Sequence, residues 1–156
     1  MAHAAFSGYS IALIDHLEKS FAFVLKTENN TAGSLPGTTV VIYQEDDGTV
    51  PLLEWFDSIP TTVQDKRRVR IARPRELGHE WHRPEADYLR DGIYELRIGL
   101  RRAHYRMLYS FQRSIAAVLS HATTKEQRVP PREIDLAIRR NRTFEQNPPR
   151  HTYEAD

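Results

Sequence analysis

The sequence predicts an α+β domain with its helices on one face of a small twisted, antiparallel-rich sheet: two N-terminal helices packed there, and a C-terminal helix. Three observations carry this expectation. Between residues 93 and 111, apolar and polar residues alternate through two consecutive runs, the two-residue period of half-buried strands. Asp91-Gly92 precedes the first run, and both residue types tolerate the positive φ of a tight hairpin turn. Segments with helical spacing flank this strand-rich stretch, and prolines punctuate them. At 156 residues the chain is long enough for one domain with a substantial core.

The elements follow in order. Residues 9–26 read as an amphipathic helix, with Ile14, Leu17, Phe21 and Val24 at helical spacing and Ser10 available as a cap. The run from Asn29 to Gly37 is rich in turn formers and reads as a linker. Residues 1–37 are therefore expected to be an N-terminal extension, residues 38–145 the main domain and residues 146–156 a C-terminal tail. Thr38–Tyr43 is a β-branched strand, ended by Glu45-Asp46-Asp47-Gly48. Val50–Ser58 opens with a proline near its first turn and puts Leu52, Leu53 and Phe56 on one side, as a short helix would. Pro60 stops it. A second helix is expected from Thr61 or Thr62 through Lys66-Arg67-Arg68-Val69-Arg70, broken by Pro74 before Gly78. Strands follow at about 87–90, 93–100, 104–111 and 115–121. The last helix starts after Pro130-Pro131, with Ile134, Ala137 and Ile138 facing inward and Arg139, Arg140 and Arg142 outward. There are no internal repeats.

Charge is unevenly spread. Lys and Arg total 22 against 21 Asp and Glu, a net of +1, yet residues 1–60 carry −6 and residues 61–150 carry +9. Eighteen of the 22 cations are arginine. An arginine-dominated basic segment suits a phosphate-bearing partner, because a guanidinium grips phosphate through two parallel hydrogen bonds; a soluble, arginine-rich surface is the other reading. The chain contains no cysteine, which excludes disulfides and thiolate chemistry. No run approaches the ~20 apolar residues of a membrane span. The N-terminus lacks a basic region ahead of its apolar run, so neither a signal peptide nor a membrane anchor is expected, and the location expected is cytoplasmic.

The hairpin itself carries the most informative residues. Tyr94, Leu96, Ile98 and Leu100 alternate with Glu95, Arg97, Gly99 and Arg101, and Tyr105, Met107, Tyr109 and Phe111 alternate with His104, Arg106, Leu108 and Ser110. If the link closes near residues 101–103, Arg97 and Arg106 lie nearly opposite each other on the exposed face. Like charges in that position repel unless an anion sits between them.

The stretch Glu76-Leu-Gly-His-Glu-Trp-His-Arg-Pro-Glu-Ala-Asp-Tyr-Leu-Arg-Asp-Gly-Ile-Tyr-Glu-Leu-Arg97, followed by Tyr105-Arg-Met-Leu-Tyr109, resembles the RelE/ParE toxin superfamily, and within it the phage-derived HigB-like branch. His121-Ala-Thr-Thr-Lys-Glu126 and Pro130-Pro-Arg-Glu-Ile-Asp-Leu-Ala137 are similar to that branch's post-sheet motif and terminal helix. The likeness spans about residues 38–145. It implies a RelE/ParE-like fold and the toxin of a type II toxin–antitoxin system, an endoribonuclease that cuts mRNA, usually on the ribosome, and so inhibits translation. It implies as partners mRNA, the ribosome and a cognate helix-turn-helix antitoxin, with no metal, small-molecule cofactor or membrane.

Under the resemblance, Arg97 and Arg106 match sheet-borne phosphate contacts and Lys125 a basic position at the site's edge. His121 and His104 are histidines near this surface able to shuttle protons at neutral pH. Tyr109 is placed to stack a base or orient a 2′-hydroxyl, although its alternation also suits the core. The catalytic candidates are thus Arg97, Arg106, Lys125 and His121, and the RNA-binding candidates Arg101, Arg102, His104, Tyr109 and Arg128. Glu95 departs from the ribonuclease prototypes, which are basic at that strand position; it would serve as a base or neutralise Arg97. His79-Glu80-Trp81-His82 lacks the spacing of a zinc-protease helix and stands beside Pro84, so no metal site is assigned to it. Two other functions stay open: a ParE-like poison of DNA gyrase acting through protein contacts, and a degenerate toxin that only binds an antitoxin.

Overall fold

The computed structural model describes residues 39–58, 69–71, 86–100, 103–112, 116–124 and 128–154. The expected helix over 9–26, the linker to Gly37 and most of the expected second helix lie outside them.

Among the described residues, six strands form one sheet: β1 (Thr39–Ile42), β2 (Val69–Ile71), β3 (Ala86–Arg90), β4 (Ile93–Leu100), β5 (Ala103–Gln112) and β6 (Ala116–Thr124). Two helices accompany them, α1 (Pro51–Ser58) and α2 (Pro131–Gln146). The order is β1-β6-β5-β4, and both short strands β2 and β3 lie on the outer edge of β4. β3 takes Ile93–Leu96 and β2 takes Ile98–Leu100, so six strands occupy five positions. All pairings are antiparallel except that of β1 with β6, which is parallel.

The hairpins form where turn chemistry demands. Asp91 and Gly92 both have positive φ, 50° and 79°, the geometry of a two-residue turn whose twist matches its flanking strands. β4 and β5 then pair from Ile93↔Ser110 to Leu100↔Ala103, which closes the link at residues 101–102 and sets Arg97 directly opposite Arg106.

Strand alternation builds two faces, and each is covered. On one, Leu96, Met107, Tyr109 and Leu119 pack with Ile42 and with Leu52, Leu53 and Phe56 of α1, making the main core. On the other, Ile93 and Leu108 pack against Val129, Ile134 and Ala137 of the α2 region, while Val118 and Tyr43 pack against Phe144. Pro131 sits in the first turn of α2, where its missing N–H costs nothing.

Four expectations need correction. Residues 69–71, assigned to a helix, form β2: Val69 and Ile71 are β-branched, and the open edge of β4 offers backbone partners that override local helical spacing. α1 and α2 lie on opposite faces of the sheet, since they belong to cores on opposite sides of β5. Arg97 and Arg106 are not on an exposed face: Arg97 is only 7% exposed and the Arg106 side chain 14%. Arg140, expected to face outward, turns inward: its Nε donates to Glu45 at 2.7 Å and its guanidinium lies 5.8 Å from the Tyr43 ring centre.

The C-terminal segment is a built part of the fold. Tyr153 N donates to Ile42 O, Gln44 N donates to His151 O, and Tyr43 and Thr152 form a bridge, so the chain pairs beside the end of β1. His151 is buried, stacks on Tyr43 at 5.6 Å and donates from Nδ1 to Gln44 O. Burial, reinforced by the hydrogen bond to Glu45, pushes the Tyr43 hydroxyl up to about 12. Truncation after Gln146 should lower stability by about 2–4 kcal/mol, because it uncovers Tyr43 and the edge backbone together; a melting curve checks this, and an unchanged midpoint contradicts it.

Candidate functional site

The side chains that bear chemistry gather where β4, β5 and β6 face the N-terminal turn of α2. Two rows cross the sheet there. One runs Glu95–Leu108–His121, the next Arg97–Arg106–Thr123. Glu95, Arg97 and Arg106 share this face because alternation sends Leu96 and Met107 the other way, into the main core.

His121 reaches the face through an irregularity. Leu119, two residues earlier, lies in the α1-side core, and strict alternation would send His121 there too. The register instead shifts: Tyr109 pairs with Leu119 and Leu108 with His121, leaving Ser120 as an extra residue. This β-bulge re-aims His121 toward α2.

The histidine is then locked. Its Nε2 lies 3.0 Å from Glu133 Oε2 and its Nδ1 2.8 Å from Ser120 Oγ. Glu133 can only accept, so Nε2 carries the hydrogen and Nδ1 accepts from the Ser120 hydroxyl, the pattern of a neutral ring. Burial pushes the His121 pKa down to about 4, helped by the Arg140 charge and opposed by Glu133. Both nitrogens are engaged and the ring is 5% exposed. His121 is therefore a clamp between sheet and helix, and a poor proton shuttle at neutral pH.

Glu95 is the most enclosed charged residue of the group, 2% exposed. It reaches diagonally across the hairpin to form an ion pair with Arg106 Nη1. Its other oxygen, Oε2, is buried without a hydrogen-bond partner. Among the described residues, Glu95, Arg97 and Arg106 thus share one sheet face in a poorly solvated setting where charge interactions are strong.

The remaining candidates separate. Tyr109 is 2% exposed and stacks on Tyr94 at 5.4 Å in the α1-side core, on the sheet face opposite the arginines, so it is not available to an RNA base at their site. Arg128 is exposed, just ahead of α2. His104 pairs with Gly99 in the β4–β5 ladder, but its side chain is outside the description. Arg101, Arg102, Lys125 and the segment from His79 to His82 lie outside the described residues. Glu133 and Ser120 were missed from sequence. Glu133 stood in a helix with no local link to His121, and Ser120 carries no signal that marks a bulge.

A separate cavity of about 600 Å³ lies on the flank of α2, where Arg90, Asp135, Arg139 and Arg142 line it. Arg90 is held there by Asp91 and Asp135. The arginine pair of the hairpin is not part of it.

Residues 54–142 match the family model described as Phage derived protein Gp49-like (DUF891). The chain belongs to that family. The Gp49-like family lies in the RelE/HigB-type toxin superfamily, and it suggests the toxin of a toxin–antitoxin pair, with an antitoxin as partner. The match covers β2 to β6 and α2 as far as Arg142, and thus every strand of the arginine site. No curated protein matches the chain. Among the described residues, no helix is long and apolar enough to cross a membrane.

Proposed function

We propose that this Gp49-like protein is a ribonuclease toxin that cuts mRNA, on the ribosome, and so stops translation until an antitoxin covers it. The observation that carries the reading is the placement of Arg97 directly opposite Arg106 on one sheet face. Two cations on rigid neighbouring strands suit a phosphodiester, whose non-bridging oxygens gain charge as the bond is cut.

The reaction is an internal transesterification. The ribose 2′-oxygen bonds to the adjacent phosphorus as its proton leaves, the bond from phosphorus to the 5′-oxygen breaks, and that oxygen takes up a proton. The products are a 2′,3′-cyclic phosphate and a 5′-hydroxyl. The step needs no metal: fixed guanidinium groups can neutralise the phosphorane, and Lys125 and Arg128, both in the sequence between β6 and α2, are the candidates for further positive charge. His121 is clamped and neutral, so the proton-transfer roles go to other groups; His104, two residues before Arg106 on β5, is the first to test. The finer partners of the reading are mRNA, the ribosome and a helix-turn-helix antitoxin, whose contact would cancel the cation excess of residues 61–150.

Expression without antitoxin should arrest growth with amino-acid incorporation falling before thymidine incorporation in pulse-labelled cells. The reverse order would favour a gyrase poison. If neither falls, the chain acts only as a binding module.

A further inference from the structure

We propose that the groove on the flank of α2 docks an acidic segment of a partner protein, whose carboxylates pair with Arg139 and Arg142. The inference is independent of the ribonuclease reading, because neither Arg97 nor Arg106 lines the groove.

The groove has two walls that are tied together. One is α2, whose lining positions run from Asp135 to Gln146, about three helical turns. The other is the β3–β4 turn, which contributes Arg90 and Asp91. Arg90 links them: its Nη1 donates to Asp91 Oδ2 at 2.9 Å and its Nη2 to Asp135 Oδ1. Walls fixed in advance lower the ordering cost of binding. Ile138, packed against the Ile93–Leu108 core, adds an apolar patch to the lining. A volume of about 600 Å³ can enclose several side chains.

The two arginines are open on the helical wall. Sequence spacing offers each an acid on the same helix: Asp135 four residues before Arg139, and Glu145 three residues after Arg142. Both acids are engaged elsewhere, Asp135 by Arg90 and Glu145 by Gln112. Among the described residues no ion pair reaches Arg139 or Arg142, and both are exposed. Nor do they offset the helix dipole, since the last turn of α2 holds no basic residue. Two guanidinium forks one turn apart are spaced for two carboxylates of one chain.

The same lining disfavours a nucleic acid. The Asp91 and Asp135 side chains are 64% and 65% exposed at the groove and would repel a run of phosphates. A peptide supplies carboxylates for the arginines, an apolar side chain for Ile138 and backbone N–H groups for the aspartates.

The test uses the full chain and a fluorescein-labelled peptide of alternating Glu and Leu, with its Gln–Leu counterpart. Anisotropy titrations are run at an ionic strength of about 0.1 M, where exposed charges beyond ~10 Å are largely screened. The Glu–Leu peptide should bind saturably. Arg139→Gln/Arg142→Gln and the Gln–Leu peptide should each weaken binding roughly tenfold, the scale of two exposed ion pairs. Arg132→Gln/Arg150→Gln removes the same charge away from the groove and should change binding less than about twofold. Melting curves check folding, and Arg142→Gln alone, with a loss of roughly threefold, serves if the double variant does not fold. No saturable binding, equal binding of both peptides, or equal losses in the two double variants overturns the inference. So does a matching loss for a labelled, fully 2′-O-methylated RNA, which would make the groove an RNA track. Displacement of the peptide by millimolar inorganic phosphate would make it a small-anion site and overturn the inference too. RNA cleavage by the groove variant should match wild type, so the two readings stand or fall separately.

Discussion

Arg106→Ala should slow RNA cleavage by about 10²–10³, the scale for losing one preorganised charge at a transition state. The structure adds a second effect to this loss. Arg106 is the partner of a carboxylate that is almost fully enclosed, so its removal leaves Glu95 buried and unpaired. Breaking a buried pair from one side costs about 3 kcal/mol or more. The alanine variant should therefore melt earlier as well as cut more slowly. The two effects can be separated, because Glu95→Gln combined with Arg106→Ala removes the stranded charge. That double variant should regain most of the lost stability and none of the lost cleavage. Arg106→Lys should rescue only in part, since an ammonium keeps the charge but loses the two-pronged fork. Replacing Arg97 and Arg106 together should do less damage than the product of the single losses, as expected for two groups gripping one phosphate.

The second large effect is acid sensitivity set by His121. Its pKa is near 4 in the folded protein against an ordinary 6.5, so the folded state favours the neutral ring. Between those values the unfolded chain binds more protons than the folded one, and stability rises with pH. The contribution is fully present above about pH 6.5 and is lost as pH falls toward 4. A shift of this size is worth about 3 kcal/mol. Thermal melts from pH 7 to 4 should show this loss in wild type and a flatter profile in His121→Gln, whose amide can still donate to Glu133. Carboxylates titrate in the same range, so the difference between the two profiles is the measure. Parallel profiles would mean that the clamp does not control acid stability.

The strands were readable because their signals are local. Alternation through residues 93–111 and the Asp91-Gly92 turn give β4, β5 and the opposition of Arg97 to Arg106 without any tertiary information. The inward side of α1, with Leu52, Leu53 and Phe56, followed from helical spacing in the same way. What stayed hidden depends on contacts distant in sequence. β2 exists because β4 has an open edge, which nothing within Lys66–Ile71 reveals. The burial of Arg97 is equally hidden, because a strand pattern cannot say what lies above its face. Arg140 turns inward to meet Glu45, 95 residues away. The bulge at Ser120 breaks the count that would have placed His121 in the α1-side core. The candidate site was therefore legible as a pair of arginines with Glu95 beside them, and illegible as an enclosed group in which Glu95 pairs with Arg106 and His121 is clamped.

Primer extension on a defined mRNA, incubated with purified protein with and without ribosomes, tests the central claim most directly. The account predicts new 5′ ends within the message for wild type, dependent on the ribosome, and none above background for the folded Glu95→Gln/Arg106→Ala double variant. A well-folded wild-type protein that produces no new ends under either condition, or a double variant that cuts as fast as wild type, would contradict it.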